Sequence, residues 1–134
     1  MSYSLENELK NNLPNTIKKY NLNYQFSYNN NNLLYYLVTY DKNCNWIDFF
    51  EKQFHPNELK IMIKHIDECG NNIFHHAAQN VYNFSILDFL KKYVEEEDFW
   101  RRKNKIGENP YRVAEYWSKK WAEEMEQYLY NVKN

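Results

Sequence analysis

Glycine is nearly missing from this chain: there are 2 in 134 residues, beside 3 prolines and 2 cysteines. So little glycine excludes a Gly-rich phosphate cradle, and no G-x-S-x-G, P-loop or H-E-x-x-H pattern occurs. Without a nucleophile motif, a conventional enzyme is not expected. Cys44 and Cys69 are too few for a disulfide framework and fit thiols in a reducing compartment. The longest apolar run, Leu33 to Val38, is far too short for a bilayer, and no N-terminal apolar core with a cleavage site is present. A soluble, cytoplasmic protein without a membrane partner is expected. Excess charge is missing too: 17 Lys+Arg against 18 Asp+Glu give a formal net charge of −1. Any attraction to nucleic acid must therefore come from a local patch.

What is abundant is Asn, Lys, Tyr and Ile, all with A+T-rich codons. An A+T-rich genome, such as that of a virus, a parasite or an endosymbiont, accounts for the bias, and a G+C-rich coding sequence would overturn that reading. The 13 Tyr, 8 Phe and 4 Trp matter physically, because large rings fill a core that alanine-poor helices leave loose. The length suits one domain with enough chain to bury a core.

Both glycines stand at the same place in two related octads, Gly70-Asn71-Asn72-Ile73-Phe74-His75-His76-Ala77 and Gly107-Glu108-Asn109-Pro110-Tyr111-Arg112-Val113-Ala114. They lie 37 residues apart, a spacing that signals stacked repeats. Each glycine can take positive φ and turn the chain. Asn72 and Asn109 then stand where an N-cap belongs, and Pro110 at the first helical position costs no donor. The pattern resembles the ankyrin repeat, whose turn and helix start reads G-x-T-P-L-H-x-A. Asn replaces Thr in both copies. The first keeps His75 and Ala77, with Ile73 and Phe74 at the Pro and Leu positions; the second keeps Pro110 and Ala114, with Arg112 in place of the His. The period is longer than the family's usual one, and the resemblance covers roughly residues 67–131. It implies a mainly α stack of helix pairs, and a hydrogen bond from His75 tying neighbouring repeats together.

The remainder of the chain fits around these copies. Leu5, Leu9 and Leu13 predict an amphipathic helix over Ser4 to Leu13, and the alternation of Leu22, Tyr24, Phe26 and Tyr28 predicts a short strand or arm. Residues 33–40 admit two readings: a hairpin partner for 22–28, or the first helix of a degenerate repeat over 30–66 capped by Asn32. The repeat is preferred, although the segment's propensity is β-rich. Asn45 is expected to cap a helix over Trp46 to Phe54, Pro56 to break it, and Asn57 to Ile66 to restart it. In the repeat over 67–104 the second helix runs from Ser85 and should stop near Val94, where Glu95 to Asp98 oppose its dipole. Phe99 to Ile106 then makes a long finger, and 105–134 forms a capping repeat.

His65, Cys69, His75 and His76 raise a zinc site, with His65 and Cys69 on one helix face. The missing Cys-x-x-Cys partners speak against it, and no metal or other cofactor is expected. The stronger candidate is Trp100-Arg101-Arg102-Lys103-Asn104-Lys105, an aromatic anchor with four positive charges. The resemblance implies that such a loop, with His76 and Arg112, faces a partner, and Trp and Arg dominate interface hot spots. Its bland alternative puts Phe99 and Trp100 in the core, with the basic residues balancing the acidic run. The expected function is a protein-binding module: an adaptor, inhibitor or assembly subunit. Nucleic-acid binding through residues 100–105 is the second choice, because Glu95 to Asp98 would repel phosphates. Two clear repeats and one degenerate one bury little core, so stabilisation by a partner or by self-association is expected.

Overall fold

Why residues 33–40 become a helix despite their β-rich composition is a matter of enclosure. Leu33, Leu34, Tyr35, Leu37 and Val38 are all buried, and a helix apolar nearly all round suits a site with neighbours on several sides. Packing overrides local propensity here, and the hairpin reading of 33–40 falls. The structure, a computed structural model, describes residues 33–94 and 97–131. These are mainly helical, with no strand among the described residues. In order they form α1 (Leu33–Tyr40), α2 (Asn45–Gln53), α3 (Pro56–Ile63), α4 (Ile73–Ala77), α5 (Phe84–Tyr93), a 3-10 turn (Glu97–Arg101), α6 (Pro110–Trp117) and α7 (Lys119–Asn131). The expected helix at Ser4 to Leu13, the strand at 22–28 and the cap at Asn32 lie outside the described residues.

The helix starts show which polar side chains win the free N–H groups of a first turn. Asn72 accepts from Phe74 N at 2.9 Å and His75 N at 3.3 Å, and Asn109 accepts from Arg112 N at 3.0 Å, as their places in the octads predict. Asn83 accepts from Ile86 N at 3.2 Å, and α5 ends at Tyr93, before the acidic run. Asn45 is not a cap. Cys44 holds the cap position in a left-handed conformation (φ 61°) and makes no cap bond; Asp41 Oδ2 reaches in to accept from Ile47 N at 2.7 Å. Pro56 is the first residue of α3 rather than a break before it, and His55 and Glu58 close a reciprocal capping box around it. Since α3 ends at Ile63, His65 and Cys69 lie beyond it and do not share a helix face.

In the packing, α4 lies between α1 and α6, so the three helix starts follow one another in a row. Behind that row α5 packs on α3, and Phe84 of α5 meets Trp121 and Tyr128 of α7 at ring separations of 5.3 and 5.1 Å. The carbonyls left over at the helix ends are taken by the next unit. Asn80 Nδ2 donates to Val38 O at 3.1 Å, and the buried Trp121 indole donates to Ala78 O at 3.0 Å. Large rings thus fill the core and also close backbone groups across units.

Candidate functional site

Two loops precede α4 and α6, and they are built alike. In the first, Asp67 Oδ1 accepts from Cys69 N and Asn71 N, each at 2.9 Å, while Asp67 N donates to Asn71 O and Gly70 N donates to Asp67 O, each at 3.0 Å. In the second, Asn104 Oδ1 accepts from Ile106 N at 3.1 Å and Glu108 N at 2.9 Å; Asn104 N donates to Glu108 O and Gly107 N to Asn104 O. The same four bonds recur 37 residues apart. Gly70 and Gly107 sit in the left-handed region at φ 78° and 86°, where an L side chain is strained.

The loops are also stitched together. Lys105 N donates to Cys69 O at 3.0 Å, and Asn104 Nδ2 donates to Asn71 Oδ1 at 2.9 Å. A Cβ on Gly70 would come within 2.9 Å of Lys105 N, whereas a Cβ on Gly107 would meet nothing within 4 Å. His75 completes the seam. Its Nδ1 accepts from Asn72 N at 3.0 Å, which leaves Nε2 protonated to donate to Glu108 O at 2.8 Å. Burial pushes His75 below its usual imidazole value, so the neutral ring required by this geometry is also the favoured one. Asp67 uses its second oxygen on His76 Nε2 at 3.1 Å. Burial pushes its carboxyl up, but the His76 bond and the Asn71 and Cys69 N–H groups outweigh it and hold Asp67 below the usual carboxylate value.

Comparison with protein-family models, with curated proteins and with solved structures finds no match.

The structure separates the residues that the sequence grouped. Arg101, Arg102, Lys103 and Lys105 are exposed on the segment leading into the second loop, and Arg112 is exposed on α6, where it pairs with Glu115 at 3.5 Å. Trp100 is not with them. It is 7% exposed, packed edge-on against Phe74 at 5.8 Å, with Lys91 Nζ 5.3 Å above its ring. A single 3-10 turn points Phe99 and Trp100 inward from between two charged stretches, so the finger begins only after Arg101. His76 is mostly buried against Tyr35 and Asp67 and offers a partner little surface. Gly70, Asn72 and His75, and Gly107, Asn109 and Pro110, hold the duplicated loops and helix starts, while Ala77 and Ala114 are buried further along α4 and α6.

Sequence reasoning missed the apolar part of the exposed surface. Ile106, at the loop tip, is 78% exposed, and Tyr116, on α6, is 73% exposed with its hydroxyl on Glu108. Tyr116 lies one helical turn beyond Arg112, so i, i+4 spacing was the available signal. A cavity of about 220 Å³ opens on another side, between the 3-10 turn, the start of α6 and the second half of α7. Among the described residues no three His, Cys, Asp or Glu side chains come together as metal ligands, and no helix is long and apolar enough to cross a membrane. Neither cysteine is in a disulfide.

Proposed function

We propose that the chain is a non-catalytic protein-binding module of ankyrin-repeat type, serving as an adaptor, an inhibitor or an assembly subunit. One observation supports this most: the loop after the 3-10 turn holds three exposed cationic side chains, Arg102, Lys103 and Lys105, and the exposed Ile106 on a backbone fixed by the bonds of Asn104 and the seam to Cys69, with exposed Arg101 at the end of the turn itself. A rigid loop loses little conformational freedom on binding, and an apolar residue ringed by charge is how a small interface combines contact area with register. Arg112 and Tyr116 extend the patch along α6. The partner surface that fits is an acidic one with an apolar pocket for Ile106.

The test is affinity capture with crosslinking and mass spectrometry from the native cell. Wild type is compared with Lys103→Glu/Lys105→Glu/Ile106→Asp, three exposed positions whose replacement leaves the core untouched. A protein recovered in stoichiometric amount by wild type, and at least tenfold less by the variant, supports the reading. Equal recovery moves the interface elsewhere. Recovery of nuclease-sensitive material alone turns the basic loop into a nucleic-acid site, and its affinity should then fall steeply with salt.

A further inference from the structure

The two loop-and-helix units differ in what covers their helix starts. Over α4 the cover comes from the chain itself: Asn72 Nδ2 donates to Phe99 O, and the rings of Phe99 and Trp100 stand edge-on to Phe74 at 5.9 and 5.8 Å. Carrying these residues forward by the repeat spacing maps Asn72 onto Asn109 and Phe74 onto Tyr111. Both line the cavity of about 220 Å³, which is completed by Met125 and Leu129 of α7 and walled on one side by Trp100 itself. The cavity thus lies where a Phe–Trp pair would sit over α6. Its donor is in place: Asn109 spends Oδ1 on the helix cap, and its amide nitrogen has no partner among the described residues. Trp100 in the wall also holds a buried indole N–H without an acceptor among the described residues. A volume below the roughly 300–1,000 Å³ of small-ligand pockets suits one large side chain better than a cofactor.

We propose that this cavity is a docking slot for a bulky aromatic side chain of a partner polypeptide, delivered on the same kind of Phe–Trp segment that fills its counterpart over α4. The continuity of the repeat interface identifies the occupant: ring against Tyr111 and Trp100, backbone carbonyl on the Asn109 amide. Buried aromatic anchors in a preformed pocket are the contacts that dominate polypeptide recognition. Arg101 lines the slot as well, but Lys103, Lys105 and Ile106, the positions changed in the basic-loop variant, do not, so the two readings are tested separately.

The probe is a capped heptapeptide copying residues 97–103, Glu-Asp-Phe-Trp-Arg-Arg-Lys, titrated into isotope-labelled full-length protein and followed by NMR. Saturable shifts are expected at the Trp100 indole N–H, the Asn109 side-chain amide and the Met125 and Leu129 methyls. The same peptide with Ala for Phe and Trp should leave them in place. Asn109→Asp keeps a good helix cap but removes the donor, so it should bind about tenfold more weakly with its melting temperature unchanged or raised. Three results would overturn the proposal: no shift at these groups, an equal response to the alanine peptide, or undiminished binding by Asn109→Asp. Shifts at the same groups on raising protein concentration without peptide would assign the slot to a second copy instead, and also overturn it.

Discussion

Asp67 and Asn104 show how one atom changes what a residue can do within the same local structure. Both tie the same pair of loop N–H groups with Oδ1, but the second carboxylate oxygen of Asp67 engages His76, while the amide of Asn104 donates back to Asn71. The glycines differ in a similar way. At Gly107 only the left-handed backbone resists a side chain, so Gly107→Ala should cost about 1–2 kcal/mol in denaturant unfolding. Gly70 adds a Cβ contact with Lys105 N, and overpacking should raise the cost of Gly70→Ala by at least about 1 kcal/mol more. Equal costs would mean that the loops are not stitched in solution. His75 predicts a pH response. Its folded value is lowered from 6.5, so as pH falls below that point the unfolded chain takes up the proton first and stability is lost. The loss continues until pH reaches the lowered folded value, at no more than about 1.4 kcal/mol per pH unit for one proton. Melting curves from pH 7 to 5 should show this slope, and His75→Gln should flatten it. The Asp67 contribution has a different window: it is present above 3.8 and is lost as pH falls through the lower folded value, so the two residues separate on the pH axis.

At the scale of elements, a helix of five residues such as α4 has almost no stability of its own. Its cap has to do two things, and Asn72 does both: Oδ1 holds the first-turn N–H groups and Nδ2 holds Phe99 O in a buried site. Asn109 caps α6 with Oδ1 only. Asn109→Ala should therefore cost about 1 kcal/mol, the ordinary value of a lost cap. Asn72→Ala should cost about 2–4 kcal/mol, because a buried carbonyl also loses its donor. Chemical denaturation of the two variants checks the ratio, and similar costs would argue that Phe99 O finds another partner. The start of α6 was legible because Asn109 and Pro110 act on their own helix, and the end of α5 because the acidic run follows it. The start of α2 was not. Its N–H is closed by Asp41, six residues upstream of Ile47, a contact that only the packed turn brings about.

Across the molecule, the seam between the two loops decides whether the units open together. Lys105 N lies in a loop, yet it is bonded to Cys69 O across the seam. Its amide should exchange with solvent as slowly as those of α4, and Gly70→Ala should release it. Exchange at loop rates in the wild type would mean that the units open independently. The same seam explains the open side of the second unit: what covers Gly70 and Phe74 has no counterpart at Gly107 among the described residues, and the cavity beside Tyr111 lies on that side.

Much of this was present in the chain before any coordinates. Two glycines at one spacing, an Asn two residues after each, and a proline at a helix start determined the duplicated turn, because φ, caps and N1 chemistry act within a few residues. Periodicity placed α5 for the same reason, whereas residues 116–129, expected as one run, divide at Ser118 into α6 and α7. The tertiary structure alone decided the fate of Trp100 and of residues 33–40. An aromatic beside four charges looks like a surface anchor until Phe74 and Lys91 are known to enclose it, and a β-rich run becomes a helix only when neighbours bury nearly every side. Burial is a sum over contacts distant in sequence, and no local pattern contains that sum.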